Sequence, residues 1–105
     1  MNDNKTPAGS AAPQPDYSGE IAAIVRSNLP PKLMRERVLD YHENDIALAL
    51  DQLSRDERSR LYNVLDADSL AGILEYAEDP AVYLRELSIR RQAAVLSRFE
   101  SSEAV

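Results

Sequence analysis

The chain has 105 residues, a net charge of −6, a pI near 4.7, 44% hydrophobic and 29% charged residues, as expected for one small globular domain, with or without a tail. It has no cysteine and one histidine, His42, which excludes disulfides, zinc–thiolate sites, cysteine nucleophiles and multi-histidine centres within one chain. Three glycines make no phosphate-cradling loop, the acidic balance disfavours nucleic acid, and no apolar run approaches the ~20 residues of a membrane-spanning helix.

Met1 to Lys5 leads into no apolar stretch, so no signal peptide is expected and a cytoplasmic location is. Residues 1–17 hold Pro7, Pro13 and Pro15 among small and polar neighbours. Such a segment buries too little apolar surface to offset its ordering entropy, so it reads as a disordered N-terminal tail. The domain is expected over 18–105.

From Ser18 onward, short apolar segments with helical spacing follow one another, each opened by a capping residue. Ser18 caps a first helix over about Gly19 to Leu29, with Ile21, Ile24, Val25 and Leu29 on one face. Pro30 and Pro31 end it, and Pro31 suits the first turn of a second helix reaching about Tyr41, with Leu33 or Met34, Val38, Leu39 and Tyr41 inward. Asn44 caps a third helix, Asp45 to Leu53, burying Ile46, Ala49, Leu50 and Leu53. Ser54 and Glu57 form a capping box for the fourth, which presents Leu61, Val64 and Leu65. Asp66 or Asp68 caps the fifth, with Leu70, Ile73, Leu74 and Ala77 inward. Asp79 and Pro80 open the sixth, carrying Val82, Tyr83, Leu84 and Leu87. Ser88 caps the seventh, over Ile89 to Phe99, with Ala93, Val95, Leu96 and Phe99 for the core.

No segment alternates as a half-buried strand does, so the fold is expected to be all-α. Links of one to three residues between short helices fit a superhelix whose successive helices cross steeply around a thin core. The caps Ser54 and Asp66 are twelve residues apart, and Asp79 follows thirteen later, a weak internal period of one helix and one turn.

The run Tyr41-His42-Glu43-Asn44-Asp45-Ile46-Ala47, followed by Leu50, Leu53 and Ser54-Arg55-Asp56-Glu57-Arg58, resembles the intracellular N domain of MgtE-type magnesium transporters. Leu61 to Asp66 and Asp68-Ser69-Leu70-Ala71, with Ile73 and Leu74, are similar to its following repeats. The resemblance spans roughly Glu20 to Phe99; a related fold occurs in the flagellar motor switch protein FliG. It implies a right-handed superhelix of about seven short helices. It also implies a cytosolic regulatory domain, at the cytoplasmic face of the membrane if part of a transporter. In that family the domain closes against a CBS-domain pair when magnesium is high. These 105 residues hold neither a CBS pair nor a membrane span, so an excised piece and a stand-alone domain are both open.

Under that resemblance the acidic turns are candidate Mg²⁺ ligands. Asp66 and Asp68 flank one turn, and Glu75, Glu78 and Asp79 gather at the next. Magnesium takes carboxylates and keeps part of its water shell, so an ion shared with an acidic partner surface would relieve repulsion between the two. The alternative is that these residues are caps and solvated surface, Asp66 and Asp79 being caps already. His42 reads as a pH-sensitive group or ligand, or as a cap or packing residue at a helix junction. No catalytic spacing is present, and no enzyme activity is expected.

Ten of the twelve basic residues are arginine. Arg55, Arg58 and Arg60 share one helix, and Arg85, Arg90, Arg91 and Arg98 lie near the end, either as an interface or as a solvated face. Asp56 and Arg60 are spaced for an i,i+4 pair. Tyr41, Tyr76 and Tyr83 are expected at core faces, and Tyr62 as an exposed contact residue. Two functional expectations follow. One is a magnesium-sensing regulatory domain that contacts a partner domain or associates with itself. The other is a flagellar-switch-like interaction scaffold without metal dependence.

Overall fold

A computed structural model describes residues 16–103; of the expected tail, 1–17, residues 1–15 lie outside the described residues, while Asp16 and Tyr17 are the cap and first residue of a helix rather than tail. Seven α-helices and no strand occur among the described residues: α1 Tyr17–Arg26, α2 Pro31–Leu39, α3 Glu43–Leu50, α4 Arg55–Val64, α5 Ala67–Leu74, α6 Pro80–Leu84 and α7 Ile89–Glu103. The links run from two to five residues, longer than expected, because several helices stop early. The chief contacts skip a neighbour: α1 lies on α3, α3 on α5, α5 on α7, and α2 on α4. The odd-numbered helices thus form a continuous row, rather than each helix packing mainly on the next in sequence.

Local chemistry sets the boundaries. Asp16, not Ser18, caps α1: its Oδ1 accepts from the Gly19 amide at 3.1 Å and from the Ser18 hydroxyl at 2.8 Å. Ser18 is buried inside the helix instead, where its oxygen also accepts from Gln52 Nε2 at 2.6 Å. α1 ends at Arg26 because Ser27 is extended, well before the proline pair. Pro31 opens α2 as expected. His42, not Asn44, caps α3, its Nδ1 accepting from the Asn44 amide at 3.0 Å. The Ser54–Glu57 capping box is formed in both directions. Asp66 caps α5, accepting from the Ser69 amide at 2.7 Å, and Ser88 Oγ accepts from the Arg91 amide at the start of α7. Asp79 stands at the cap position of α6, but its side chain makes no capping bond, contrary to expectation.

The core runs through the whole row: Ile21 and Val25, Met34 and Val38, Ile46 and Leu50, Leu61 and Leu65, Leu70, Ile73 and Leu74, and Val95 are buried. Fully burying such side chains contributes about 1.5–3 kcal/mol each. Leu84 is half-buried rather than core, and Leu39, Val82, Ala93 and Leu96, expected inward, are exposed.

Two tyrosines exchange their expected places. Tyr62 is buried, with its hydroxyl donating to Glu86 Oε1 at 2.7 Å. Tyr76 is exposed, because α5 stops at Leu74 and the helical period no longer applies beyond it.

Several arginines work within the fold. Arg58 donates to the Leu50 and Leu53 carbonyls, Arg91 to those of Tyr62 and Leu65, and Arg26 to that of Gln52. These are carbonyls at or just past helix ends, where no intrahelical donor reaches. Asp56 and Arg60 make no ion pair with each other.

Candidate functional site

The side of α3 opposite its core face carries Leu48. Ile46, Ala49 and Leu50 point inward on the 3.6-residue period, and Leu48 between them is 52% exposed. At the N-terminal end of α3, the His42 ring meets Tyr76 edge-on, with centroids 5.4 Å apart. Tyr76 lies in the link after α5, where its amide and that of Ala77 close the end of the helix on the Ile73 and Leu74 carbonyls. At the C-terminal end of α3, the cap residue Asp51 accepts from the Tyr83 hydroxyl. Burial, then the Asp51 carboxylate, push the Tyr83 phenol up to about 12. The Arg58 guanidinium stands over the Tyr83 ring, 5.5 Å from its centroid.

These contacts tie α3, the α5–α6 link and α6 around a groove of about 320 Å³. Ala47, Leu48, Tyr76, Ala77 and Val82 supply its apolar surface, and Asp51, Glu78 and Asp79 supply carboxylates. Among the described residues, no lysine or arginine lines it. Leu48, Tyr76 and Val82 are all large, apolar and substantially exposed, and the groove gathers them in one concavity.

The five candidate magnesium ligands fall in separate places. Asp66 caps α5, and its Oδ2 lies 3.5 Å from an Arg35 nitrogen. The Ser69 amide, foremost, holds its carboxyl below the usual range. Asp68 pairs with Arg98 across to α7. Glu75 is the exposed C-cap of α5, a helix length (~12 Å) from the Asp66 end. Glu78 and Asp79 are neighbours on the groove and have no ion-pair partner among the described residues. Among the described residues, no group of three or more His, Cys, Asp or Glu side chains is placed to hold a metal ion. The five do not form one ligand set; two hold arginines, and two face the groove.

Leu48 and Val82 carried no functional signal in the sequence beyond their helical positions. Exposure could be read for Leu48, which falls off the Ile46–Ala49–Leu50 stripe; the convergence with Tyr76 depends on the turn after α5. No family model matches the chain, and no curated protein or solved structure matches it either.

Proposed function

We propose that this chain is a non-catalytic regulatory module that docks a partner protein into the groove between α3 and α6. The observation that carries this is the convergence of Leu48, Tyr76 and Val82 in one concavity with carboxylates around it. Protein interfaces have this layout, an apolar centre rich in aromatics inside a polar rim. The histidine is used as a helix cap, which supports a binding role over acid–base chemistry. Apolar docking needs no ion, so the geometry favours an interaction scaffold without metal dependence.

The magnesium-sensing reading rests on the resemblance to the transporter N domain and keeps one structural support. Glu78 and Asp79 are adjacent and unpaired among the described residues, so they can offer part of a coordination shell that an acidic partner, such as a CBS-like pair, would complete. Both readings place the chain in the cytoplasm.

The test is selection from an unbiased displayed peptide library against the wild-type chain and against Leu48→Ser and Tyr76→Ser variants. Clones that bind the wild type and lose both variants support the groove. Clones indifferent to both substitutions, or no clones at all, would overturn it.

A further inference from the structure

We infer that the groove between α3 and α6 is selective for a cationic partner segment, one that sets apolar side chains between Leu48, Tyr76 and Val82 and flanks them with arginine or lysine. This rests on the docking reading above and adds the chemistry of the occupant.

Charge is the deciding observation. Asp51, Glu78 and Asp79 line the groove, and no lysine or arginine among the described residues does. Four carboxylates elsewhere meet arginines, Glu57 with Arg26, Asp66 with Arg35, Glu86 with Arg58, and Asp68 with Arg98, whereas none of the three on the groove has an ion-pair partner among the described residues. The Tyr83 hydroxyl gives Asp51 a hydrogen bond but no countercharge. The backbone contributes both signs. Asp51 ends α3, and Tyr76 to Asp79 follow the end of α5, so two helix C-termini bring their negative dipole ends to the groove, while the five-residue α6 begins there at Asp79 with its positive end, and the side-chain carboxylates set the sign. An acidic or neutral segment would leave these carboxylates partly desolvated and unpaired, which is unfavourable. A guanidinium suits them, because its planar fork binds carboxylates bidentately and its stem and face lie well on an exposed tyrosine such as Tyr76. The net charge of −6 draws the same class of partner from a distance.

The experiment uses the full chain and two labelled synthetic peptides with the same leucines in helical spacing, one flanked by arginine and lysine, the other by glutamate. Fluorescence anisotropy at low salt is expected to give the cationic peptide at least tenfold tighter binding. Raising NaCl should weaken it, because screening acts on exposed pairs. Glu78→Gln with Asp79→Asn should remove most of the preference while thermal melts stay unchanged, and Leu48→Ser should weaken the cationic peptide in its own right. Equal binding of the two peptides overturns the charge selectivity and leaves the docking reading standing. Binding of the acidic peptide only when MgCl₂ is added overturns it in favour of a metal-bridged contact. Binding that survives Leu48→Ser, or no binding of either peptide, removes the docking reading and this inference together.

Discussion

The guanidinium of Arg58 and the carboxylate of Glu86 meet as a two-bonded fork, Nε to Oε1 at 2.8 Å and Nη2 to Oε2 at 2.7 Å. The remaining nitrogen of Arg58 donates to the Leu53 carbonyl at 2.6 Å and the Leu50 carbonyl at 3.2 Å, and the Tyr62 hydroxyl donates to Glu86 at 2.7 Å. Both charged side chains are largely covered, at 16% and 10% exposure, so solvent replaces little of what is lost when one is removed. Glu86→Ala leaves a guanidinium without its counterion and a buried phenol without an acceptor. It is expected to destabilise the fold by roughly 1.5–3 kcal/mol, the range for hydrogen bonds to charged groups. A urea melt checks this, and a loss below about 0.5 kcal/mol, the level of an ordinary surface change, would show the fork to be dispensable.

The same fork explains what the sequence could and could not disclose. The capping box at Ser54 and the proline at the start of α2 are local and were legible, and Asp66 was one of two caps offered for α5; the equally local caps of α1 and α3 were placed two residues late, on Ser18 and Asn44, because neighbouring residues can serve the same role. The alternative of His42 as a junction cap was legible because it too is local. Tyr62 was misplaced because its partner Glu86 lies 24 residues away, beyond any helical period. Arg58 and Arg91 were assigned between interface and solvent, whereas the carbonyls they satisfy belong to helix ends brought near by the fold. The groove followed the same rule. Glu78 and Asp79 stood out in the sequence; Asp51 and the apolar side chains did not, since Leu48 and Tyr76 come together only across the α3–α5 packing.

Leu61 is completely buried, on the helix that packs against both α1 and α2. Leu61→Ala is expected to cost roughly 2–5 kcal/mol, the combined loss of transfer energy and of packing around the cavity. Denaturant melts measure it directly. Leu48→Ser on the exposed side of α3 serves as the matched control and should stay within about 0.5 kcal/mol of wild type.

Gly72 occupies the interior of α5, and a methyl group there would meet the carboxylate end of Glu43 from α3. Glu43 is exposed, and its carboxylate can turn outward into water. Gly72→Ala is therefore expected to stabilise by roughly 0.5–1 kcal/mol, the difference between glycine and alanine inside a helix. A net loss in the melt would mean that Glu43 is held in place and that the α3–α5 contact is tighter than an exposed side chain implies.

Stability should fall on the acid side. Arg58 foremost holds Glu86 below its ordinary value, as Arg26 does Glu57, the Ser69 amide does Asp66 and the Ser18 hydroxyl does Asp16. A depressed carboxyl contributes stability that is fully present above its unfolded value and lost as pH falls toward the folded one. The decline should thus begin near the ordinary values of 4.5 for Glu and 3.8 for Asp and continue below them. On the alkaline side the Tyr83 phenol is raised, so its contribution is complete below 10 and lost as pH climbs through about 12. Melts from pH 3 to pH 7 check the acid limb (the range in which exposed carboxylates titrate), and Glu86→Gln should flatten part of it. An unchanged slope in that variant would remove Glu86 from the account.

Magnesium should hardly stabilise this chain alone. Asp66 and Asp68 are engaged by Arg35 and Arg98, which an ion would have to displace, and Glu75 stands at the other end of α5. Glu78 and Asp79 remain, two carboxylates where the ion asks for near-octahedral oxygen, so most of its shell would stay water or come from a partner. A ligand raises stability by about RT ln(1 + [L]/Kd), which is small when Kd exceeds the concentration present. Thermal melts with and without millimolar MgCl₂, matched in ionic strength with NaCl, are therefore expected to coincide within about one degree, well inside the ~4–8 °C per kcal/mol of a domain this size. A shift of many degrees specific to magnesium would establish a complete site within these residues. Glu78→Gln and Asp79→Asn should then abolish the shift if the ion sits at the groove, and Asp66→Asn and Asp68→Asn should do so if it displaces the arginines at α5.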